Sequence, residues 1–303
     1  MCSGSLMHLS SLPFDIHWIR LSRTFMTNPR LFYALLHFFG SAHTALKNLP
    51  LLMHHKKIPT QFSIYSEEEA SREIKKIEHL KAHFLPFTDP NYPPGLKTIS
   101  DPPPLLTILG NLKTLHSPNP ITLGIVGSRS PTQKGRLFCQ KFSYALGQAG
   151  YIISSGFSRG IESAAHEGSL LTKTVAVFPG GIDVIFPKEH RSLFQKILKA
   201  SGAIVSEMPL GLLPKTPHFL RRYRLISGLS KGIIIIEGSS DSAAYITTQM
   251  ALEQGRDVFA VPGAPYDIHS KRTNALIKEG AMLIDHPQDI HAFYTSFRKE
   301  NSF

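Results

Sequence analysis

The residues that most suggest chemistry form a basic segment without any acid, KTPHFLRRYRLISGLSK, from Lys215 to Lys231. No Asp or Glu occurs between Met208 and Ile236, whereas a solvated helix normally carries charges of both signs. We therefore interpret this segment as an unneutralised surface for a polyanion. Arg222 falls among the apolar positions of a helical wheel, so it should either pair internally or point into a ligand cleft.

The remaining side chains of this basic segment suggest how a nucleic acid would be held. Arg221 and Arg224 lie with Lys231 on the polar side of the wheel, where each cation can meet a phosphate. Phe219 and Tyr223 offer rings on which the bases of a single strand could stack, a mode that tolerates any sequence. For Phe219, ordinary core packing is an equally good interpretation.

Three glycine-rich turns follow predicted strands: GSRS at 127–130, SGFSRG at 155–160 and PGGID at 179–183. Glycine lets backbone amides approach an oxyanion, and the N-terminus of a following helix adds partial positive charge. A phosphate is therefore the expected ligand at these turns. The alternative is that the glycines only permit tight turns.

The type of phosphate ligand is narrowed by what the turns lack. GIVGSR is not G-x-G-x-x-G, no acid ends the second strand to hold a ribose, and G-x-x-x-x-G-K-[ST] does not occur. A dinucleotide or nucleoside triphosphate therefore lacks its usual binding motif. Arg129 stands in that place, with a guanidinium that can bind a phosphate through two donors.

Composition agrees with an acidic partner. The chain has 303 residues, 42% of them hydrophobic, and a formal net charge of +11. Nucleic acid fits this charge better than a membrane does, because no Lys/Arg-rich amphipathic helix stands out; a basic protein without a polyanion partner is the alternative. Cys2 and Cys139 suit neither a disulfide framework nor a metal site, and no export signal or membrane span is evident. We expect a cytoplasmic protein without cofactor or metal.

The first third of the chain predicts helices and then an irregular stretch. Residues 1 to 24 have no clear period and are left unassigned. PRLFYALLHFF predicts a helix capped by Asn28 with Pro29 in its first position, and Gly40 ends it. A short helix is predicted from Ala42 to Leu49, and a third, charged helix from Ser66 to His83. Prolines then crowd residues 84–110 and favour an extended, turn-rich joint.

From Ile121 onward, short apolar segments alternate with helical ones, which predicts a parallel sheet with helices on both faces. The predicted strands are Ile121–Val126, Tyr151–Ser154, Thr174–Phe178, Ala203–Val205, Gly232–Glu237, Val258–Val261 and Met282–Ile284. The predicted helices are Thr132–Gln148, Ile161–Leu171, His190–Lys199, Leu220–Leu229, Ala243–Gln254, Thr273–Lys278 and Gln288–Phe297.

From about Phe87 to Ile290 the chain resembles the DprA/Smf family of bacterial DNA-processing proteins. The resemblance rests on segments in the family's order: DPNYPPGLKTISDPPPLLTILG, GIVGSR, SSGFSRGIESAAHEGSL, FPGGIDVIFP, SEMPLG, FLRRYRLISGLS, ALEQGRDVFAVPG and TNALIKEGA. It implies an extended Rossmann-like domain that binds single-stranded DNA, forms a homodimer, displaces single-strand-binding protein and loads the RecA recombinase during natural transformation. It implies no catalytic reaction.

The residue patterns and the resemblance together give a domain plan and a set of site residues. The plan is a helical region over 1–83 that is SAM-like from about 28, a proline-rich joint and start of the Rossmann-like domain over 84–120, that domain over 121–297, and a tail over 298–303 without room for a winged helix. The predicted DNA-binding residues are Gly127, Ser128, Arg129, Ser155, Gly156, Gly160, Lys215, Phe219, Arg221, Arg222, Arg224, Thr273 and Asn274.

The chain departs from the family pattern at the predicted site. Leu220 and Tyr223 replace the proline and asparagine of F-P-x-R-N-R, and Phe186 with Pro187 stands where the family reads Y-P-x-x-N. Arg272 replaces the glycine of S-x-G-[ST]-N, where it would either add a phosphate contact or reshape the loop.

Two other functional classes are compatible with parts of the sequence. The PGG turn resembles that of LOG-type phosphoribohydrolases, but the glutamate that follows it there is missing, and Glu207 and Glu237 are the only obvious substitutes. A degenerate interaction protein that no longer binds DNA is the second alternative.

Overall fold

The computed structural model describes residues 14–55, 57–58, 62–115, 121–238 and 243–300. Residues 1–13, 116–120 and 301–303 lie outside this description. The start of the predicted helical region, the end of the predicted joint and the end of the predicted tail fall in these ranges. The described helices are α1 Ile16–Thr24, α2 Pro29–Phe39, α3 Ala42–His54, α4 Glu67–His79, α5 Pro94–Lys97, α6 Gln133–Gln148, α7 Ile161–Ser169, α8 Arg191–Lys199, α9 Thr216–Leu229, α10 Ala243–Glu253, α11 Lys271–Lys278 and α12 Pro287–Glu300. None of these described helices has both the length and the apolar character needed to cross a bilayer.

The described strands join into one sheet of nine, in the order β1-β2-β6-β5-β4-β3-β7-β8-β9. They are β1 His83–Pro86, β2 Leu105–Gly110, β3 Thr122–Gly127, β4 Ile152–Ser155, β5 Thr174–Val177, β6 Ala203–Ser206, β7 Gly232–Ile236, β8 Asp257–Ala260 and β9 Met282–Leu283. Strands β3 to β9 pair in parallel, whereas β1 and β2 add to β6 in antiparallel fashion. The prediction of a mostly parallel, extended Rossmann-like sheet after a small helical domain is confirmed.

The order of the strands creates a switch point between β3 and β7. The chain proceeds from β3 through β4 and β5 to β6 on one side, and then returns to place β7 on the other side of β3. Helices that leave neighbouring strands in opposite directions open a crevice at the carboxyl end of such a pair. The GSR turn after β3 lies at this crevice.

The seven strands predicted after Ile121 are all present, with each end within one residue of its predicted position. These segments are rich in β-branched residues and are bounded by turn residues, so they form strands almost wherever they pack. Alternate residues of β7 illustrate the packing: Ile233 and Ile235 enter one core with α9 and α10, and Ile234 and Ile236 enter another with α6, α7 and α12.

Four of the described elements were not predicted. β1, α5 and β2 lie in or at the start of the proline-rich stretch interpreted as a joint, and α1 lies in the unassigned N-terminal stretch. The two strands form because they pair with each other and β2 pairs with β6, a partner distant in sequence. Helix α1 begins at Asp15, whose side chain accepts a hydrogen bond from the Trp18 amide, and this cap was the available sequence signal.

Four predicted helices have an end that differs from its predicted position by three residues or more. α3 continues past Leu49 to His54, α4 stops at His79, α9 begins at Thr216 rather than Leu220, and α12 continues past Phe297 to Glu300. The early start of α9 places Pro217 in the first turn, where proline is tolerated because its missing N–H has no intrahelical partner there.

The helical domain formed by α1 to α4 is fastened to the sheet by buried polar contacts. The indole of Trp18 donates to the Pro104 carbonyl at 3.0 Å. Arg23 pairs with Glu73 at 2.9 Å, and it also donates to the Glu207 carbonyl at 2.8 Å. Both charged side chains of this pair are almost fully buried, so neither can lose its partner without leaving an uncompensated charge.

Replacing Arg23 by alanine should therefore lower the free energy of unfolding by about 3 to 5 kcal/mol, the usual cost of breaking a buried ion pair. Chemical denaturation measures this change. Arg72→Ala is the matched control, because it removes an exposed arginine from α4 and should change stability by roughly 0.5 kcal/mol or less. Equal effects of the two substitutions would show that the buried contacts of Arg23 do not stabilise the fold.

Candidate nucleic-acid interface

The candidate site lies where the GSR turn, the SGFSRG turn and the first turns of α9 meet. The Ser128 amide donates to the Glu237 carbonyl at 2.9 Å, which ties the GSR turn to the end of β7. Gly160 has a φ of 84°, and a Cβ there would lie 2.3 Å from the Ser128 carbonyl oxygen. Glycine is required at this position because the two turns touch.

Arg129 extends from the GSR turn to the surface. Its guanidinium carbon lies 5.9 Å from the centre of the Phe219 ring, and one guanidinium nitrogen lies 3.4 Å from the Tyr223 hydroxyl. No acidic side chain pairs with Arg129 in the described ranges, and the residue is exposed. Arg129 is thus a cation held by aromatic neighbours and available to an anion.

The SGFSRG turn is filled by side chains of the protein itself. The Glu162 carboxylate accepts from the Ser158 amide at 2.8 Å and pairs with Arg222 at 3.1 Å. A Cβ on Gly156 would lie 2.6 Å from the guanidinium carbon of Arg222. Ser155 donates to the Ile125 carbonyl at 2.5 Å. The Glu162 carboxylate thus accepts from the Ser158 amide, one of the backbone donors that the sequence offered to a phosphate.

The basic segment is not unneutralised, which corrects that interpretation. Arg221 pairs with Glu207 at 3.0 Å, and Arg224 pairs with Glu207 at 2.5 Å and with Asp101 at 3.1 Å. Arg222 takes the internal alternative and is 2% exposed. Burial raises the pKa of Asp101, and the positive charge of Arg224 opposes that rise. The acids come from other parts of the chain, so the acid-free sequence does not produce an acid-free environment.

Burial also changes the roles of the two aromatic residues on α9. Tyr223 is 3% exposed, so its ring is not open to a base. Phe219 is half-buried, with the guanidinium carbon of Arg222 5.3 Å from its ring centre. Lys215, at the start of α9, is exposed, and among described residues it has no acidic partner. Lys215 and Arg129 are therefore the predicted site cations that remain free.

The residues predicted on α11 hold a loop in place. The Asn274 amide group accepts from the Gly263 amide at 3.1 Å and donates to the Gly263 carbonyl at 2.9 Å. Thr273 is buried and donates to the Ser270 carbonyl. The guanidinium of Arg272 lies 4.0 Å from the centre of the Tyr245 ring and reaches Glu279 at 3.4 Å. Arg272 thus packs against its own domain.

The two carboxylates suggested for catalysis both have structural partners. The Glu237 carboxylate accepts from the amide and the hydroxyl of Thr132 at the start of α6, and Glu207 is held by its two arginines. Burial raises the pKa of the Cys139 thiol to about 12, so its nucleophilic thiolate is scarce at neutral pH. In the part of the chain that the structure describes, no three metal-ligating side chains come together.

The chain was compared with protein families and known proteins. Residues 83–295 match the family model described as DNA recombination-mediator protein A, and residues 14–75 match the DprA-like N-terminal HHH domain. The DNA processing protein DprA of Bacillus subtilis (strain 168) is 35% identical over 248 residues, which are 81% of this chain and 78% of that protein. The chain belongs to the DNA recombination-mediator protein A family.

Other relatives extend this family assignment. Protein Smf of Escherichia coli (strain K12) is 39% identical over 71% of this chain, and the match spans 57% of the length of that protein. The X-ray structure of DprA from Streptococcus pneumoniae superposes with a TM-score of 0.70 and 29% identity, covering 95% of this chain and 96% of that one.

A second solved structure of the family concerns the single-stranded DNA binding mode of DNA processing protein A from Helicobacter pylori. It has a TM-score of 0.64 and 27% identity, and covers 73% of this chain and 98% of that one. The family resemblance of the sequence is therefore confirmed by sequence and by fold.

Sequence reasoning missed one aromatic residue of the site. Phe186, in the loop between β5 and α8, lies with its ring centre 6.0 Å from that of Phe219. It appeared in the sequence only as a departure from the family's Y-P-x-x-N pattern. An aromatic residue in a loop after a PGG turn was the available signal, but nothing local to it indicates contact with α9.

A buried histidine sets the shape of the SGFSRG turn. One ring nitrogen of His166 lies 2.7 Å from the Gly156 carbonyl oxygen and the other 2.7 Å from the Thr174 hydroxyl. Burial lowers the pKa of His166 to about 4, although the bond to the Gly156 carbonyl opposes this. The folded state therefore binds fewer protons than the unfolded state between that value and the ordinary histidine pKa of about 6.5.

The free energy of unfolding should accordingly fall as the pH falls from about 6.5 to about 4, and His166→Gln should remove up to one proton, or about 1.4 kcal/mol per pH unit, from that slope. Denaturant titrations at several pH values measure both proteins. Their slopes should coincide above pH 7, where the histidine is neutral in both states. Identical slopes below pH 6.5 would contradict the neutral, buried role of His166.

Proposed function

We propose that this protein is a cytoplasmic, single-stranded DNA-binding recombination mediator that protects incoming DNA and loads a RecA-type recombinase in natural transformation. The single observation that carries DNA binding is Arg129, an exposed guanidinium beside the Phe219 ring at the crevice between β3 and β7. A guanidinium beside aromatic rings matches the phosphate and base of one nucleotide.

We assign the direct DNA contacts to those predicted residues whose side chains remain available to a ligand. Arg129 and Lys215 would bind phosphates, while Ser128 lies in the same exposed turn as Arg129. Arg221, Arg222 and Arg224 would act by holding α9 in place, because their charges are already paired. Gly127, Gly156 and Gly160 would serve by allowing the turns to touch.

Two observations favour single-stranded over double-stranded DNA as the partner. The Helicobacter pylori relative was solved to describe binding of single-stranded DNA. In addition, an aromatic ring can stack on a base only if the base is unpaired on that face, as in an open strand. Glu162 and Glu237 accept backbone hydrogen bonds near the starts of α7 and α6. The phosphate of a mononucleotide would otherwise bind at such positions.

The family resemblance is the basis for three further parts of this proposal. These are the loading of the recombinase, the displacement of single-strand-binding protein and the formation of a homodimer. A mediator must hold the strand loosely enough to pass it on, and a surface site with few ionic contacts suits such a transfer. Sedimentation that gives only a monomer at high protein concentration would remove the homodimer from the proposal.

Replacing Arg129 by alanine should weaken binding to single-stranded oligonucleotides of every sequence. The slope of log K against log salt should become shallower by about 0.7 to 1, the contribution of one phosphate contact. Fluorescence anisotropy across a salt series measures both quantities. The matched control is Arg136→Ala, because Arg136 is an exposed arginine paired with Glu167 on the α6–α7 face. An Arg129→Ala slope equal to wild type would place the DNA elsewhere.

The mediator activity is tested separately from DNA binding. The protein should raise the DNA-dependent ATPase rate of a RecA recombinase on single strands already coated with single-strand-binding protein, and Arg129→Ala should raise it less. The ATPase rate over time is the measurement. Tight DNA binding without any stimulation would contradict the mediator step and leave the DNA-binding step intact.

A further inference from the structure

Phe186 is a large aromatic side chain on a fixed loop, yet 46% of its surface is exposed. The loop that carries it is held against the segment before α9. The Gly181 amide donates to the Leu212 carbonyl at 3.0 Å, and the Asp183 carboxylate accepts from the Gly211 amide at 2.8 Å. The ring is therefore held at the surface by a hydrogen-bonded loop, and its exposed face is available to a ligand.

Phe219, the aromatic neighbour of Phe186, already lies beside two arginine side chains. Phe219 is half-buried and has two guanidinium carbons within 6 Å of its ring centre, 5.3 Å for Arg222 and 5.9 Å for Arg129. The planes of Phe186 and Phe219 meet at 70°, an edge-to-face contact. Phe219 thus supports Arg129 and Phe186, and Phe186 is the ring of the pair with more surface to offer.

We propose that Phe186 is the ring on which a DNA base stacks, with Arg129 beside it binding the adjoining phosphate and Phe219 supporting both. This inference rests on the proposed DNA-binding function and names a base contact that the sequence pattern did not. Stacking on a phenyl ring accepts any base, so the contact adds affinity without sequence preference.

The charges near the two rings favour a nucleic acid over an apolar protein surface. The Arg129 guanidinium carbon lies 5.9 Å from the Phe219 ring centre, and Lys215 lies one helical turn before Phe219 at the start of α9. Neither has an acidic partner in the described ranges, so an apolar partner would have to desolvate uncompensated cations. A nucleotide instead supplies an anion for the guanidinium and a flat apolar face for the ring.

The test uses the full chain and a fluorescent single-stranded oligonucleotide. Phe186→Ala should weaken binding by about 5- to 150-fold, the range seen when one stacking ring is removed. Phe186→Leu should lose about as much, because it keeps apolar bulk without the ring, whereas Phe186→Tyr should bind like wild type. The salt slope should not change in any of these variants, in contrast to Arg129→Ala.

Two controls separate stacking from a general loss of structure. Leu171→Ala removes an exposed apolar side chain between α7 and β5, before the amino end of the strand that Phe186 follows, and should leave binding unchanged. Wild type should bind an oligonucleotide with abasic sites more weakly than it binds intact DNA. Phe186→Ala should bind the abasic and the intact oligonucleotide with equal affinity.

Three results would overturn the inference: unchanged affinity in Phe186→Ala, equal affinity of Phe186→Leu and wild type, or an equal penalty for abasic DNA in Phe186→Ala and wild type. Failure of the proposed function is a different result, in which wild type itself does not bind single strands at low salt. In that case the stacking role of Phe186 falls with it.

Discussion

The buried carboxylate of Glu207 is the constraint on which the arrangement of the site depends. It lies just beyond β6, is 5% exposed, and is paired with both Arg221 and Arg224. Removing those partners would leave it buried without compensation. Its backbone carbonyl accepts from Arg23 of the helical domain, and Arg221 also donates to the Thr27 carbonyl. Glu207 and its arginine partners therefore align α9, the end of β6 and the helical domain with one another.

This arrangement reverses the expected role of the basic segment. Its arginines stabilise the architecture, and the surface charge of the site comes instead from Arg129 and from Lys215 at the start of α9. Because Arg222 is fixed by Glu162, it can hold Phe219 in position, and Phe219 in turn supports Arg129 and Phe186. A chain of buried pairs thus ends in one exposed cation and one exposed ring.

The same use of internal carboxylates explains why the Rossmann-like sheet has no enclosed phosphate site at its first two turns. In dinucleotide-binding proteins the start of the helix after a strand receives the pyrophosphate. Here Glu237 accepts from Thr132 at the start of α6, and Glu162 accepts from Ser158 at the start of α7. The remaining binding surface is open, which suits a polymer that passes across the sheet edge better than a small nucleotide enclosed by it.

The sequence alone determined where strands β3 to β9 lie along the chain and which residues cap α2, because both depend on local patterns. It also determined the family, because the family motifs can be read residue by residue. It also singled out Arg129, since a strand, a turn and a helix start are all visible around it. Only the tertiary structure decided which charges are free. Arg222 and Glu162 are 60 positions apart, and Arg224 and Asp101 are still more distant in the chain, so no local pattern reports their pairing. The antiparallel strands β1 and β2 and the contact between Phe186 and Phe219 were decided in the same way, because each exists only through a partner that folding brings from elsewhere in the chain.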